Sequence, residues 1–269
     1  MSDLSNERSG AAPAAAAPEI RAVSGSDLLA VLKAGINDFI HAPLPGLAIG
    51  AIFAGIGLAI VLALTAWDIP WMIYPVAIGF PLVGPFAAVG LYEVSRRRER
   101  GAPHGLGDIW PVIWAQRRRE LSWMAFVMVF VFWIWMYQVR LLIALFLGLK
   151  SFATFEAFLT VVLTTEQGWI FLAIGHLVGA FLALTLFSIT VIAMPLLLER
   201  EIDIVTAMIT SVKTVLASPV VMLGWGVFVT LAVLLACVPF FAGIPIVLPI
   251  LGHATWHLYR RAIAPEAAA

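Results

Sequence analysis

The chain of 269 residues is poor in what a water-soluble enzyme needs. Only 12% of it is charged and it holds one cysteine, whereas ordinary globular chains carry roughly 25% charge. A lone thiol makes no intramolecular disulfide, and Cys237 lies in an apolar run, where it packs as a small hydrophobe. Nucleophile and phosphate motifs are missing: there is no GxSxG, P-loop, Gly-rich dinucleotide turn or HExxH. No apolar run carries Asp, Glu or Lys near its centre, which argues against a pump built on a buried titrating carboxylate. Nothing positive supports catalysis, so a non-enzyme is expected.

What is present is hydrophobicity. Apolar residues make up 62% of the chain and the mean hydropathy is +1.01. Charge-free runs cover 44–67, 69–92, 121–139, 168–198 and 214–259. Roughly 20 apolar helical residues cross a hydrocarbon core about 30 Å thick. The last run is too long for one crossing and divides at 238–243, around Pro239 and Gly243. The reading is an all-α, polytopic transmembrane bundle of about six spans in three hairpins. The spans fall near 44–67, 71–92, 121–147, 168–198, 219–238 and 240–259 within one domain, 26–261. Residues 1–25, rich in Ala and Pro, and 262–269 read as disordered tails. The N-terminal stretch lacks the apolar core of a signal peptide, so the first span is expected to be an uncleaved anchor.

The net charge is +0 but its distribution is lopsided. Arg8, Arg21, Lys33, Arg96, Arg97, Arg98, Arg100, Arg117, Arg118, Arg119, Arg200, Lys213, Arg260 and Arg261 fall on one side; only Arg140 and Lys150 fall on the other. The positive-inside rule puts the first set and both termini in the cytoplasm of a bacterial inner membrane. The basic clusters then set topology and touch anionic lipid; nucleic acid is not an expected partner.

Three cytoplasmic segments read as helices lying in the interface. In 26–42, Leu28, Leu29, Leu32, Ile36, Phe39 and Ile40 make one stripe, with Asp27, Lys33, Asn37 and Asp38 off it. In 203–218 the stripe is Val205, Met208, Ile209, Val212 and Leu216, and 108–120 is a shorter case. Such segments bury their stripes at a membrane surface. The first and last also share a pattern. Ala42-Pro43 leads to Leu47 and Gly50, and Ser218-Pro219 leads to Leu223 and Gly226 at the same spacings. Gly79-Phe80-Pro81 with Pro85 likewise matches Gly243-Ile244-Pro245 with Pro249, which indicates a parallel duplication with kinked spans two and six. Gly46, Gly50 and Ala54, and Gly175 with Gly179, offer small-residue faces for close helix contact.

The sharpest polar feature is His253 and His257, four residues apart and so on one helix face. Such a pair can ligate a metal or haem. Two ligands are too few alone, and the ordinary role is hydrogen bonding near a helix end. Glu93, Glu199, Glu201 and Asp203 stand at span boundaries, where ion pairing is the ordinary role.

The blocks Gly84-Pro85-Phe86-Ala87-Ala88-Val89-Gly90-Leu91-Tyr92-Glu93, Met194-Pro195-Leu196-Leu197-Leu198-Glu199-Arg200, Thr206-Ala207 with Thr210-Ser211-Val212, and Gly252-His253-Ala254-Thr255-Trp256-His257 resemble signatures of an uncharacterised family of bacterial integral membrane proteins. The resemblance runs from about residue 28 to residue 261 and implies an inner-membrane location without a known activity. Some members are labelled cytochrome c oxidase subunit I-like; a catalytic subunit of that kind needs more spans and more histidine ligands than the five histidines here supply. The leading expectation is a non-catalytic scaffold, assembly factor or partner subunit that contacts lipid, other membrane proteins or itself, without a cofactor. A small-molecule permease using spans two and six is the alternative, and metal or haem binding through His253 and His257 a second.

Overall fold

The computed structural model describes residues 18–67, 84–116, 120–148, 152 and 154–265, and these are helical apart from turns and one isolated β-bridge. The helices are α1 (Gly25–His41), α2 (Pro43–Ala66), α3 (Gly84–Glu99), α4 (Leu106–Gln116), α5 (Leu121–Leu142), α6 (Phe155–Thr164), α7 (Glu166–Thr190), α8 (Ala193–Glu199), α9 (Ile204–Ala217), α10 (Pro219–Cys237) and α11 (Ile244–Ala262). A single π-helical turn, Ile143–Leu147, extends α5.

Four segments are long and apolar enough to cross a bilayer: Pro43–Ala66, Leu121–Leu147, Glu166–Glu199 and Pro219–Cys237. They coincide with the first, third, fourth and fifth expected spans. Most of the second falls outside the described residues, and α3 covers only its end. α11 occupies the place of the sixth but is not among the four. Two histidines and Arg260-Arg261 make it amphipathic, and most of its surface is covered by protein. α6 was not expected from hydropathy. Thr154 caps it, Thr165 caps α7, and Gly168 lets the two helices meet, because a Cβ there would lie 2.4 Å from the Val162 carbonyl.

α1 and α9 show why lipid has to be the outer medium. α1 starts at a capping box: the Ser24 side chain accepts from Asp27 N–H while the Asp27 carboxylate accepts from Ser24 N–H at 2.9 Å. It ends at Ala42, before Pro43. The helix buries Val31, Gly35 and Asp38, while the stripe residues Leu29, Ile36 and Ile40 stay exposed, Ile40 by 64%. α9 repeats this with Ala207, Thr210, Ser211 and Thr214 inside and Val205, Ile209 and Leu216 outside. Asp38 lies off the apolar stripe, as expected, but on the face turned into the protein, where it is 5% exposed. Small and polar faces pack inward and apolar faces point out, the reverse of a protein dissolved in water.

The duplicated pattern reappears in the backbone. Ala42 and Ser218 link their helices with nearly the same conformation, φ −136° and ψ 58° against φ −144° and ψ 61°. Val31, Gly35 and Asp38 match Ala207, Ser211 and Thr214 in both spacing and burial. Packing follows a rotation: α1 lies on α11, α4 on α3, and α9 on α7 and α8. The ends of α3, α8 and α11 meet in the main core, where Leu91, Met194, Leu196, Ala254, Trp256 and Leu258 are fully buried.

α2 reaches α11 through glycine. A Cβ on Gly46 would sit 3.0 Å from Pro249, on Gly50 2.6 Å from Pro245 Cα, and on Gly57 2.6 Å from the Phe241 ring. The turn holding Phe241 is tight, with Phe240 at φ 49° and Phe241 at φ 64°, a region that bulky residues seldom adopt. The chain ends are also tied together. Ile20 bridges Ile263, Arg21 N–H donates to the Ala262 carbonyl at 2.8 Å, and Val23 is buried. Residues 19–23 and 262–264, read from composition as tail, are therefore anchored, because main-chain pairing supplies the order that side-chain hydrophobicity did not signal.

A Gly50→Ala substitution forces its methyl group against backbone and is expected to cost about 1–3 kcal/mol. Gly55→Ala, where nothing lies within 4 Å of the added carbon, serves as the control. Thermal unfolding in one detergent checks both; equal melting temperatures for the two variants would contradict the close approach of α2 and α11.

Candidate functional site

The basic end of the bundle holds a buried charge network centred on Asp38. The Ser95 hydroxyl at the end of α3 donates to Asp38 Oδ2 at 2.6 Å. Arg98 Nε donates to Oδ1 at 3.0 Å, and His257 Nε2 from α11 lies 2.8 Å from Oδ2. Ser95 has one proton to give, so its oxygen accepts from Nδ1–H of His253 at 2.9 Å. That sets the His253 tautomer and leaves its buried Nε2 a bare acceptor with no partner among the described residues. His257 Nδ1 faces Glu99 at 3.5 Å, and Glu99 pairs with Arg260 at 3.2 Å. Arg260 also pairs with Glu199 at 3.1 Å, and Glu199 accepts from the Tyr259 hydroxyl.

Glu93 is 1% exposed and held by Arg96 and Arg97, each at 2.6 Å. Arg261 pairs with Asp27. Asp203 caps α9, and hydrogen bonding to Thr206 holds its carboxyl below the usual carboxylate range. Much of the arginine cluster that sequence assigned to topology and anionic lipid is thus engaged with acids inside the protein; Arg117, Arg118 and Arg119 lie outside the described residues. Burial alone would raise the Asp38 carboxyl, but hydrogen bonds from His257 and Ser95 outweigh it and hold the group below its ordinary value.

His253 and His257 are therefore brought together, but around Asp38 and Ser95. Three of their four ring nitrogens face side chains of the network. Among the described residues no group of three or more His, Cys, Asp or Glu is arranged to hold a metal ion. Asp38, Ser95 and Glu99 were missed in the sequence, because their partners are far along the chain: Asp38 meets Ser95 across 57 residues and His257 across 219.

Beneath this charged layer lies an apolar groove with a cavity volume of about 400 Å³. α2, α3, α5, α7, α10 and α11 all contribute to it, with Trp135, Phe171, Phe187, Trp225 and Leu248 among its walls. Four glycines, Gly175, Gly179, Gly226 and Gly252, are among its lining residues; Gly252 also lets α11 approach Leu91 of α3. Its wall on α7 and the turn after it runs from Phe171 to Val191. At about 1.5 Å per residue that approaches the thickness of a hydrocarbon core. No Asp, Glu, Lys or Arg is among its described lining residues.

Several long apolar helices joined to a buried charge layer define an integral membrane protein of the polytopic kind. Residues 72–199 match the family described as predicted integral membrane protein (DUF2189). The match carries the blocks at 84–93 and 194–199, whereas those at 206–212 and 252–257 lie beyond it, and its description bears no oxidase label. No curated protein and no solved structure matches the chain.

Asp38→Asn leaves Arg98 and His257 without their shared counter-charge and is expected to cost about 3 kcal/mol. The pH dependence has a definite sign. A carboxyl depressed in the folded state contributes fully above its unfolded pKa of about 3.9. That contribution is lost as pH falls through the lower folded value. Melting temperatures of wild type and Asp38→Asn should therefore differ most at neutral pH and converge below about pH 4. A gap unchanged down to pH 3 would contradict the assignment.

Proposed function

We propose that this is a non-catalytic protein of the bacterial inner membrane that holds a lipophilic, chain-like molecule in the groove between its spans. Both termini and the arginine-rich layer lie on the cytoplasmic side in this reading. The observation that carries it is the groove itself, nearly as long as the hydrocarbon core and apolar along its walls. Binding sites for small molecules are concave, mostly apolar and set with few polar groups, as this one is. Residues of α3 and α11, on the two spans that the permease alternative invokes, line it, but the lining suits a hydrocarbon chain rather than a polar solute. The charge layer, in the same reading, is a rigid plate that fixes α1, α3, α8 and α11 and closes one end. Neither a metal nor a catalytic step is invoked, and a scaffold or partner role would be exercised through the loaded protein.

Ala183, a small residue on the α7 wall, offers the test. Wild-type protein purified in mild detergent and extracted into organic solvent should yield close to one lipophilic molecule per chain by mass spectrometry. Ala183→Trp should lose most of it at an unchanged melting temperature. Equal retention by both proteins would sink the binding reading.

A further inference from the structure

Resting on the groove reading above, we infer that its occupant is a neutral lipid whose head presents a carbonyl oxygen to the Tyr92 hydroxyl. The polar side chains of the lining are few, and almost all have spent their protons. Thr190 donates to the Leu186 carbonyl at 2.7 Å, Thr230 to Gly226 at 2.8 Å and Thr255 to Leu251 at 2.8 Å. His176 Nδ1 lies 2.7 Å from the Leu172 carbonyl, which only an N–H can satisfy. Tyr92 and Trp225 differ: both line the groove, at 3% and 2% exposed, and neither the Tyr92 hydroxyl nor the Trp225 indole N–H has a hydrogen-bond partner among the described residues. A buried phenol normally finds a partner, and one left without loses a hydrogen bond's worth of stability.

Depth and charge narrow the ligand further. Arg96 stands four residues after Tyr92 and Arg260 five after Thr255, so both groove residues lie roughly 6–8 Å below the basic rim. His176 marks the opposite half, towards the start of α7. A molecule with its head on Tyr92 would then lay its chain along the α7 wall. The arginines nearest that end, Arg96, Arg97 and Arg98, are committed to Glu93 and Asp38. A phosphate head would be drawn into an uncharged groove without a free cation, which is costly. An uncharged head with one good acceptor fits: the carbonyl of an isoprenoid quinone, or the ester of a diacylglycerol.

The test compares full-length wild type, Tyr92→Phe and Ala183→Trp after the same detergent wash, with extracts separated by chromatography and identified by mass. Wild type should retain one neutral carbonyl lipid, and the mass tells quinone from glyceride. Tyr92→Phe keeps the ring and removes only the donor, so it should retain about three- to tenfold less, the equivalent of one net hydrogen bond. Equal retention by Tyr92→Phe, with loss in Ala183→Trp, would overturn the role of Tyr92 and leave the groove reading intact. Retention unchanged in both variants would overturn the groove reading itself. An occupant that is only a charged phospholipid would overturn the neutral-head inference. Melting temperatures of the three proteins, measured beside the extracts, separate lost binding from lost fold.

Discussion

Lipid on the outside is the constraint from which the rest of this structure follows. α1 and α9 bury glycine, serine, threonine and an aspartate and turn leucine and isoleucine outward. In water that arrangement would expose the apolar stripes and strand the polar faces. In a bilayer the stripes meet hydrocarbon, and the polar faces pack against the rest of the protein. Every close contact described here uses that inversion. Glycine faces on α2 let it approach the proline-bearing side of α11, and hydroxyls on α9 satisfy backbone, as Ser211 does for Ile192 N–H at 3.1 Å. Association between apolar helices in lipid needs such packing and hydrogen bonding, since the surroundings are as oily as the helices.

The charge layer answers a second requirement of the same medium. Charges near hydrocarbon are tolerated when paired. Asp38 on α1, Glu93 on α3 and Glu199 at the end of α8 each meet more than one donor, and those donors come from α3, from Arg100 just after it, and from α11. Elements distant in sequence are locked at one level, and the ends of α3, α8 and α11 converge there. Beneath that level lies the groove, walled by α2, α3, α5, α7, α10 and α11. The plate and the groove are two consequences of one packing arrangement.

Much of the fold was legible in the sequence for a simple reason: hydropathy reports directly on the medium. The four long apolar helices, the interfacial segments and the break at 238–243 all follow from local runs and periods. The Ala42-Pro43 and Ser218-Pro219 hinges were legible because proline acts on its immediate neighbour. α6 escaped because, although apolar, its ten residues are too short to read as a span, and only the Thr154 cap marks its start. Asp38 escaped because helical period sorts residues by polarity, and it is buried on a polar face. Its partners are chosen by tertiary contact, which no spacing records. His253 and His257 stand out in the sequence as a pair by their spacing, but the aspartate and serine between them came only from the three-dimensional arrangement. The groove was least legible, since a volume left open by packing has no sequence motif.

The measurement that bears most directly on the inversion is the accessibility of nitroxide labels in lipid vesicles. In a Cys237→Ser background, single cysteines at Ile40 and Leu216, which are 64% and 69% exposed, would carry the label. The outward stripes of α1 and α9 predict strong broadening by dissolved oxygen and little by a water-soluble nickel complex at both sites. Labels that respond chiefly to the nickel complex would place those stripes in water and contradict the account at its root.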